Sequence, residues 1–296
     1  MNSKFNFKGV ISALPTPFYK NQVDFQSLEK LVKLQLQAGI QGFVVNGTTG
    51  ESPTLTWDEV TEIFKLVKQC VGEAIPVILG TGSNATEKAK LATQKAAKLG
   101  ADAALVVVPY YNKPTQQGLF EHFSVIADSG ELPILLYNVP GRTITSLAVE
   151  TIQKLAQNKN IIGIKEASGD LGLDQKIKQA VESNFIMLTG DDGTYIPFLK
   201  QGGHGVISVM SNFITEQTVN WQKQCDNQQF NTAELDFIKY RRLIDLMFIE
   251  ANPIPLKWML YRQGVFKSAE ARLPLTTLAE KNQNEIEAEM KKLGLI

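Results

Sequence analysis

One lysine follows a short apolar run, and its position suggests a nucleophilic amine. The run is Ile161-Ile162-Gly163-Ile164, and Lys165 comes next, before the polar segment Glu166-Ala167-Ser168-Gly169. Such a run, bounded by polar and glycine-rich residues, is typical of a core strand in a parallel sheet. A lysine at its end is partly desolvated, which favours the neutral amine that forms Schiff bases with carbonyl substrates. The alternative is a lysine whose stem packs while its ammonium reaches water.

Other reactive groups also follow strand-like runs. The loop Gly47-Thr48-Thr49-Gly50 comes after Gly42-Phe43-Val44-Val45 and has the character of a small carboxylate site, or else of a tight turn. Tyr137 ends another apolar run and can exchange protons with the lysine, unless it is only an interior aromatic residue. Arg142 follows a Pro-Gly turn and can bind a second carboxylate with two hydrogen bonds, or else lie solvated in its loop.

The remaining reactive residue types are sparse. Tyr110 and Tyr111 are adjacent aromatic residues in a turn, an arrangement that more often marks an interface than catalysis. Histidine occurs twice and cysteine twice, without the spacing of a metal site, so we predict no metal and no cofactor. Both cysteines are expected to be packing residues in a reducing cytoplasm.

Composition excludes several classes of protein. The chain has 296 residues, of which 44% are hydrophobic, and its 30 basic side chains balance 30 acidic ones. We therefore expect neither a nucleic-acid-binding protein nor a membrane protein. The first eight residues lack the apolar region of a secretory signal, so a cytoplasmic location is expected.

The elements that must position these groups form a repeating pattern. Eight apolar runs alternate with amphipathic segments at intervals of roughly 25 to 30 residues, which predicts an α/β fold, a (β/α)8 TIM barrel. No G-x-G-x-x-G motif supports the rival open sheet. The predicted strands are Val10–Leu14, Gly42–Val45, Ile75–Leu79, Ala103–Val108, Pro133–Tyr137, Ile161–Lys165, Phe185–Leu188 and Gly205–Ser208.

Helix starts are predicted from capping residues. Asp24 and the pair Thr56 and Glu59 are expected to cap the first two helices, Asn84 to cap the third, and Thr145 to begin a later one. After residue 215 only helical patterns follow. We therefore expect a barrel of residues 1–215 and a C-terminal helical appendage, residues 216–296, packed on it.

Four motifs resemble the dihydrodipicolinate synthase family of pyruvate-dependent class I aldolases. They are Gly47-Thr48-Thr49-Gly50-Glu51, Pro109-Tyr110-Tyr111-Asn112-Lys113-Pro114, Tyr137-Asn138-Val139-Pro140-Gly141-Arg142-Thr143 and Gly163-Ile164-Lys165-Glu166-Ala167-Ser168. The likeness extends to Asn252-Pro253-Ile254-Pro255-Leu256-Lys257 near the C-terminal end. It implies the condensation of pyruvate with L-aspartate 4-semialdehyde, in lysine and diaminopimelate biosynthesis, without a metal or organic cofactor.

The resemblance also implies a role for individual residues. Lys165 forms the imine with pyruvate, and the proton relay consists of Tyr137, Thr48 and Tyr111, the last reaching in from a neighbouring subunit. Pyruvate is held by Thr49 and Ile207, the semialdehyde carboxylate by Arg142, and Gly190 leaves space beside the imine. A homotetramer built from two tight dimers is implied, and the borrowed tyrosine requires at least a dimer.

One departure from the family concerns feedback inhibition. Relatives inhibited by L-lysine bind it between subunits, and this chain keeps two matching positions, Asn84 and Tyr110. It carries Trp57, Val60 and Lys88 where sensitive relatives have two histidines and a glutamate. Because Lys88 would repel an incoming ammonium, we predict weak or absent inhibition.

Two other functions are compatible with parts of this pattern. An N-acetylneuraminate lyase or a 2-keto-3-deoxy sugar acid aldolase would share the lysine chemistry, but a sugar aldehyde has no carboxylate for Arg142 to bind. A barrel that senses a keto acid without turnover would not need the complete set of reactive residues.

Overall fold

Eight parallel strands form a closed barrel in the computed structural model, which describes residues 6–130 and 132–296. Each strand pairs with the next along the chain, and the last pairs with the first, where Ile11 lies opposite Ile207. The predicted (β/α)8 barrel is therefore confirmed. The interpretation of the N-terminal segment as lacking a signal concerns mainly residues 1–5, which lie outside the described residues.

The strands and helices alternate around the barrel. The strands are β1 (Gly9–Ala13), β2 (Gly42–Val45), β3 (Val77–Gly80), β4 (Ala103–Val107), β5 (Ile134–Asn138), β6 (Ile161–Glu166), β7 (Ile186–Thr189) and β8 (Gly205–Ser208). The helices up to β8 are α1 (Phe25–Gln37), α2 (Trp57–Val71), α3 (Thr86–Leu99), α4 (Gln116–Asp128), α5 (Pro140–Thr143), α6 (Val149–Leu155), α7 (Leu171–Ala180) and α8 (Tyr195–Lys200). No helix within the described ranges is both long enough and apolar enough to span a bilayer.

The strand period of two divides the apolar side chains into two layers. Leu135 and Tyr137 belong to the cluster that fills the barrel interior, whereas Leu136 packs in the layer between strands and helices. In β6, Ile164 belongs to the outer layer. Since successive side chains alternate between the two faces, its neighbour Lys165 points into the barrel. Strand geometry therefore aims both the phenol and the amine at the interior.

Two predicted helix starts are confirmed and two are wrong. The Asp24 carboxylate accepts the Ser27 N–H at the start of α1, and Thr56 forms its capping box at the start of α2. Helix α3 instead follows Ala85, because Asn84 lies one residue too early and its carbonyl accepts a hydrogen bond from Asn112. No helix begins at Thr145.

The segment around Thr145 is held out of helical structure by the preceding strand. Asn138 accepts a hydrogen bond from the Leu147 N–H at 3.0 Å, and the Thr143 hydroxyl donates to the Thr145 carbonyl at 2.8 Å. The chain therefore forms the short helix α5, runs on without helical structure, and begins α6 only at Val149.

Four α-helices follow β8, in agreement with the helical patterns predicted after residue 215. They are α9 (Thr215–Asp226), α10 (Phe230–Leu246), α11 (Ile254–Arg262) and α12 (Glu280–Lys292). Helix α10 packs against α8, α9 and α12, and α11 packs against α12. The division of the chain at residue 215 into barrel and appendage stays a prediction. A two-stranded ribbon, Phe18–Tyr19 with Gln22–Val23, was not predicted from the sequence.

Candidate active site

Lys165 and Tyr137 face each other at the carboxyl end of the barrel. They are register partners on the adjacent strands β6 and β5, and the Lys165 Nζ atom lies 4.2 Å from the centroid of the Tyr137 ring. Each residue is 6% exposed. The amine is therefore nearly enclosed and lies over an aromatic face, a contact that attracts its protonated form. The predicted strand-end lysine is not a solvated residue.

Asn138 and Glu166 are the next register partners along β5 and β6, and they form a second pair that restrains Tyr137 and Lys165. The Asn138 amide donates to the Glu166 carboxylate at 2.6 Å, and the Ser168 N–H donates to the same carboxylate at 2.5 Å. Burial raises the pKa of Glu166, while these hydrogen bonds oppose the shift. Since both groups are buried and bonded to each other, they restrict movement of the strand ends that carry Tyr137 and Lys165.

The loop after β2 brings two threonines to the site. Thr49 is buried, and its hydroxyl accepts a hydrogen bond from the Asn252 amide at 2.9 Å. The N–H groups of Gly50 and Glu51 donate to carbonyls within the loop, so neither is free for an anion. Helix α2 starts only at Trp57. A carboxylate would therefore meet the threonine groups of this loop rather than the start of that helix.

Gly190 lies against the Lys165 side chain, and Ile207 lies in the interior layer of the barrel. A Cβ atom on Gly190 would come 2.5 Å from Lys165 Cε and 2.7 Å from Ala167 Cβ. The glycine is therefore required for the observed position of the lysine side chain. Ile207 is fully buried in the interior layer, in β8.

Two cavities lie at the Thr48 loop. The outer cavity, of about 520 Å³, is lined by Thr48, Arg142 and Asn252 among others. A small inner pocket of about 60 Å³ is lined by Thr48 and Tyr137. Thr48 thus borders both spaces, and Arg142 stands at the outer one, where its guanidinium donates to the Asn252 carbonyl at 3.4 Å. Lys165 lines neither of these two cavities.

Tyr111 is the one predicted site residue that this single chain does not bring to the others. Its side chain is 89% exposed, and its backbone has a φ of 74°, in the left-handed region that side chains other than glycine rarely adopt. It lines neither of the two cavities described above. A partner surface would be needed to place this phenol in a site.

Sequence reasoning named Asn252 only as part of a motif and missed the groups that fix the threonine loop. Asn252 is 6% exposed and contacts both the Thr49 hydroxyl and Arg142. Nearby, the Lys257 ammonium forms a fully buried ion pair with Glu51 at 2.5 Å. A signal was present, because Lys257 is a single charge within the apolar run Ile254-Pro255-Leu256-Lys257-Trp258-Met259-Leu260.

The chemistry available here is that of an amine, hydroxyls and a guanidinium. Within the described ranges, no three His, Cys, Asp or Glu residues are grouped so that they could hold a metal ion. A parallel barrel with an enclosed lysine facing a phenol at its carboxyl end has the construction of a Schiff-base-forming lyase of the class I aldolase type.

Comparisons with known proteins identify the family within that class. The model of the dihydrodipicolinate synthetase family matches residues 6–293, and the chain belongs to this family. A curated 4-hydroxy-tetrahydrodipicolinate synthase of Bdellovibrio bacteriovorus is 53% identical over 291 residues, which cover 98% of this chain and 99% of that protein.

Solved structures agree with this placement. The chloride-inhibited dihydrodipicolinate synthase of Acinetobacter baumannii, complexed with pyruvate, superimposes with a TM-score of 0.95 at 40% identity, covering 98% of this chain and 100% of that one. The enzyme of Cyanidioschyzon merolae with lysine bound gives a TM-score of 0.94 at 42% identity, covering 98% and 99%.

Proposed function

We propose that the protein condenses pyruvate with L-aspartate 4-semialdehyde by the 4-hydroxy-tetrahydrodipicolinate synthase reaction. The observation that carries the proposal is the enclosed Lys165 amine, 4.2 Å from the centre of the Tyr137 ring. Tyr137 lines a small pocket together with Thr48, and Thr48 also lines the larger cavity that contains Arg142. These residues provide a nucleophile, a proton-transfer group and an anion-binding group, which are the groups that two acidic carbonyl substrates require. The family and the curated relative with 53% identity support the same reaction.

The first half of the reaction activates pyruvate. The neutral Lys165 amine attacks the ketone carbon to give a carbinolamine, which loses water to form an imine. Tyr137 supplies the proton that the departing hydroxyl needs, and Thr48 and Tyr111 complete the relay. Thr49 holds the pyruvate carboxylate and Ile207 contacts the rest of the molecule. The pyruvate complex of the Acinetobacter enzyme supports this choice of first substrate.

The second half forms the carbon–carbon bond. The protonated imine withdraws electrons, so the former methyl group loses a proton and an enamine results. The enamine carbon attacks the aldehyde of the second substrate, whose oxygen takes a proton from the relay. The amino group of the product then attacks the imine carbon, closes the ring and releases Lys165. Arg142 holds the second carboxylate throughout, and a cationic fork suits this planar anion.

The oligomer is part of this proposal. We infer a homotetramer made of two tight dimers, in which Tyr111 completes the site of the adjacent subunit. The exposure of Tyr111 in a single chain supports this arrangement, because an isolated phenol in water cannot relay a proton inside the barrel. The site is in this sense incomplete without the partner.

Feedback inhibition by L-lysine is expected to be weak. Trp57, Val60, Lys88 and Tyr110 all line the outer cavity of 520 Å³. The Lys88 side chain adds a positive charge to that space, and a lysine ligand would bring its own ammonium groups toward it. The Cyanidioschyzon relative binds lysine, so the family fold permits such a ligand. The side chains that line the cavity therefore determine whether lysine binds to this chain.

Trapping of the covalent adduct tests the proposed function. Borohydride reduction in the presence of pyruvate should add the mass of the reduced adduct to a peptide containing Lys165, and Lys165→Ala should abolish it. Aspartate semialdehyde added before the borohydride should discharge the adduct. A sugar aldehyde that discharges it instead would identify an aldolase of sugar acids. Absence of any adduct in the unaltered protein would leave only a keto-acid-binding barrel.

A further inference from the structure

The loop that carries Thr48 and Thr49 is fastened from the C-terminal part of the chain. Asn252 donates to the Thr49 hydroxyl at 2.9 Å, and the Lys257 ammonium is 2.5 Å from the Glu51 carboxylate, two residues further along the loop. The two contacts join residues that are 203 and 206 positions apart in sequence. The loop is therefore fixed by helix α11 and the turn before it rather than by its own strand alone.

The hydrogen bond from Asn252 restricts the directions in which the Thr49 hydroxyl proton can point. A hydroxyl has one proton and two lone pairs, and here one lone pair is occupied by the Asn252 N–H. The proton of Thr49 is therefore free to point away from Asn252 toward a substrate carboxylate. Without this donor, the hydroxyl could rotate and would bind the carboxylate less often.

The ion pair of Lys257 and Glu51 is unusual in being completely enclosed. The two side chains are 0% and 1% exposed, and the Lys257 Nζ atom lies 4.3 Å from the centroid of the Phe18 ring. Burial lowers the pKa of Lys257, while the adjacent carboxylate opposes that shift. Glu51 also accepts the Arg272 N–H at 3.0 Å, so two C-terminal segments hold the same carboxylate.

Glu51, whose carboxylate is held by these contacts, also has an unusual backbone conformation. Glu51 has a φ of 57°, in the left-handed region, and its N–H donates to the Thr48 carbonyl at 3.1 Å. A non-glycine residue keeps this conformation only when its surroundings hold it. The ion pair supplies that restraint, and Thr48 is linked to it through the backbone hydrogen bond.

From these contacts we infer that Lys257 and Asn252 are positioning residues for the pyruvate-binding loop, Lys257 acting through Glu51 and Asn252 acting through the Thr49 hydroxyl. The inference rests on the proposed function, since it assumes that this loop receives pyruvate. Neither residue need touch the substrate for the inference to hold. Loss of the Asn252 contact affects binding of pyruvate, and loss of the ion pair affects both binding and turnover, because Thr48 moves with the loop.

A double variant and a matched control test the ion pair. Lys257→Met combined with Glu51→Gln removes both charges without leaving one of them buried alone. Arg262→Met combined with Glu287→Gln removes a partly exposed pair, 3.0 Å long, that links the same helix α11 to α12. We expect the first variant to raise the KM for pyruvate at least tenfold and to lower kcat, and the control to remain within twofold of the unaltered protein in both.

A single variant tests the hydroxyl contact of Asn252 independently of the ion pair. Asn252→Ala should raise the KM for pyruvate about tenfold and slow borohydride trapping at low pyruvate by a similar factor. Its kcat should remain within threefold of that of the unaltered protein. A merely structural residue would lower the melting temperature without this division between KM and kcat.

The outcomes separate the inference from the proposed function. If the unaltered protein traps pyruvate while Asn252→Ala keeps its KM within twofold, the inference about Asn252 is overturned and the function stands. A folded Lys257 and Glu51 double variant with an unchanged KM for pyruvate overturns the inference about the ion pair in the same way. If the unaltered protein traps no pyruvate, the proposed function fails and the inference fails with it.

Discussion

Tyr137 and Lys165 are direct neighbours across two parallel strands, and the lysine nitrogen lies 4.2 Å from the centre of the tyrosine ring. The relationship follows from the strand period, since both side chains point into the barrel from paired positions. The ring excludes water from one side of the amine, while the phenol group provides a proton donor nearby. The two roles that we propose for Tyr137 can be separated, because phenylalanine retains the ring and loses only the hydroxyl.

Tyr137→Phe is expected to lower kcat by roughly 100-fold or more, the usual effect of losing a positioned general acid or base. The steady-state rate with both substrates measures the change. Tyr240→Phe is the matched control, because Tyr240 packs against Trp221 in the C-terminal helices, and its rate should not change. A Tyr137→Phe variant within threefold of the unaltered kcat would remove Tyr137 from the relay.

Gly190→Ala should impair imine formation by steric conflict alone. The added methyl carbon would lie 2.5 Å from Lys165 Cε, and overpacking of this kind costs about 1–3 kcal/mol. We expect the rate of borohydride trapping with pyruvate to fall at least tenfold. Gly118→Ala serves as the control, because its methyl group would meet Pro114 at an ordinary 3.5 Å. Equal trapping by both variants would contradict the role given to Gly190.

Much of this site was predictable from local patterns. Lys165 could be assigned to a strand end because an apolar run and its polar boundary are adjacent in sequence, and barrel topology then placed it at the carboxyl end of the barrel. The buried ion pair of Glu51 and Lys257 could not be predicted, because its partners are 206 positions apart. Sequence periodicity reports which face of an element is apolar, but it does not report which distant residue meets it.

The two wrongly predicted helix starts, at Asn84 and Thr145, also result from contacts that local sequence patterns do not report. Asn84 is a favourable capping residue by type, yet its carbonyl accepts a side-chain hydrogen bond from Asn112 in the next loop. Thr145 lies in a segment held by Asn138, whose own partner is Glu166 on the neighbouring strand. A contact from the next βα unit overrode the local preference of Asn84, and a contact from its own preceding strand overrode that of Thr145.

Because the Asp174 carboxyl group is buried, we expect the stability of the fold to depend on pH. Burial raises the pKa of Asp174 to about 7, and the charges of Glu166, Asp170 and Asp191 add to the shift. The folded chain therefore binds a proton that the unfolded chain has already released above pH 3.8, so stability falls as the pH rises from about 4 to 7. The loss is on the order of 4 kcal/mol at most.

Asp174→Asn should remove this dependence. Urea unfolding at pH 5 and pH 8, at one fixed protein concentration, should give a smaller difference in the free energy of unfolding for the variant than for the unaltered protein. The variant should be the more stable of the two at pH 8. A variant as pH-sensitive as the unaltered chain would mean that Asp174 is ionised in the folded state at pH 5.

Lys88→Glu tests the explanation for weak lysine inhibition. The substitution reverses the charge that Lys88 presents to the outer cavity and should attract the ammonium of a lysine ligand. We expect the unaltered protein to be insensitive to sub-millimolar L-lysine, and the variant to become measurably more sensitive. Lys98→Glu, at the exposed far end of the same helix α3, is the control and should leave the response unchanged. Sub-millimolar inhibition of the unaltered protein would contradict the prediction.

The borrowed position of Tyr111 can be tested with hybrids of two inactive variants. Lys165→Ala lacks the nucleophile and Tyr111→Phe lacks the exposed phenol, so each homo-oligomer should be nearly inactive. In a hybrid dimer whose subunits exchange this tyrosine, one site combines both defects and the other contains an intact lysine with an intact phenol. Random mixing should therefore restore about one quarter of the unaltered activity, since about half of the dimers are hybrids with one good site each.

Co-expression with two affinity tags, or unfolding and refolding of the mixture, would produce the hybrids, and activity per subunit of the mixture would measure the result. If Tyr111 serves its own chain, every site in every hybrid contains one defect and no activity returns. A monomeric protein with full activity would contradict the relay as well, because the 89% exposed phenol would then face only water. Recovery in the hybrids would place the Tyr111 phenol in the adjacent subunit's site, where Lys165 and Tyr137 supply the other reactive groups.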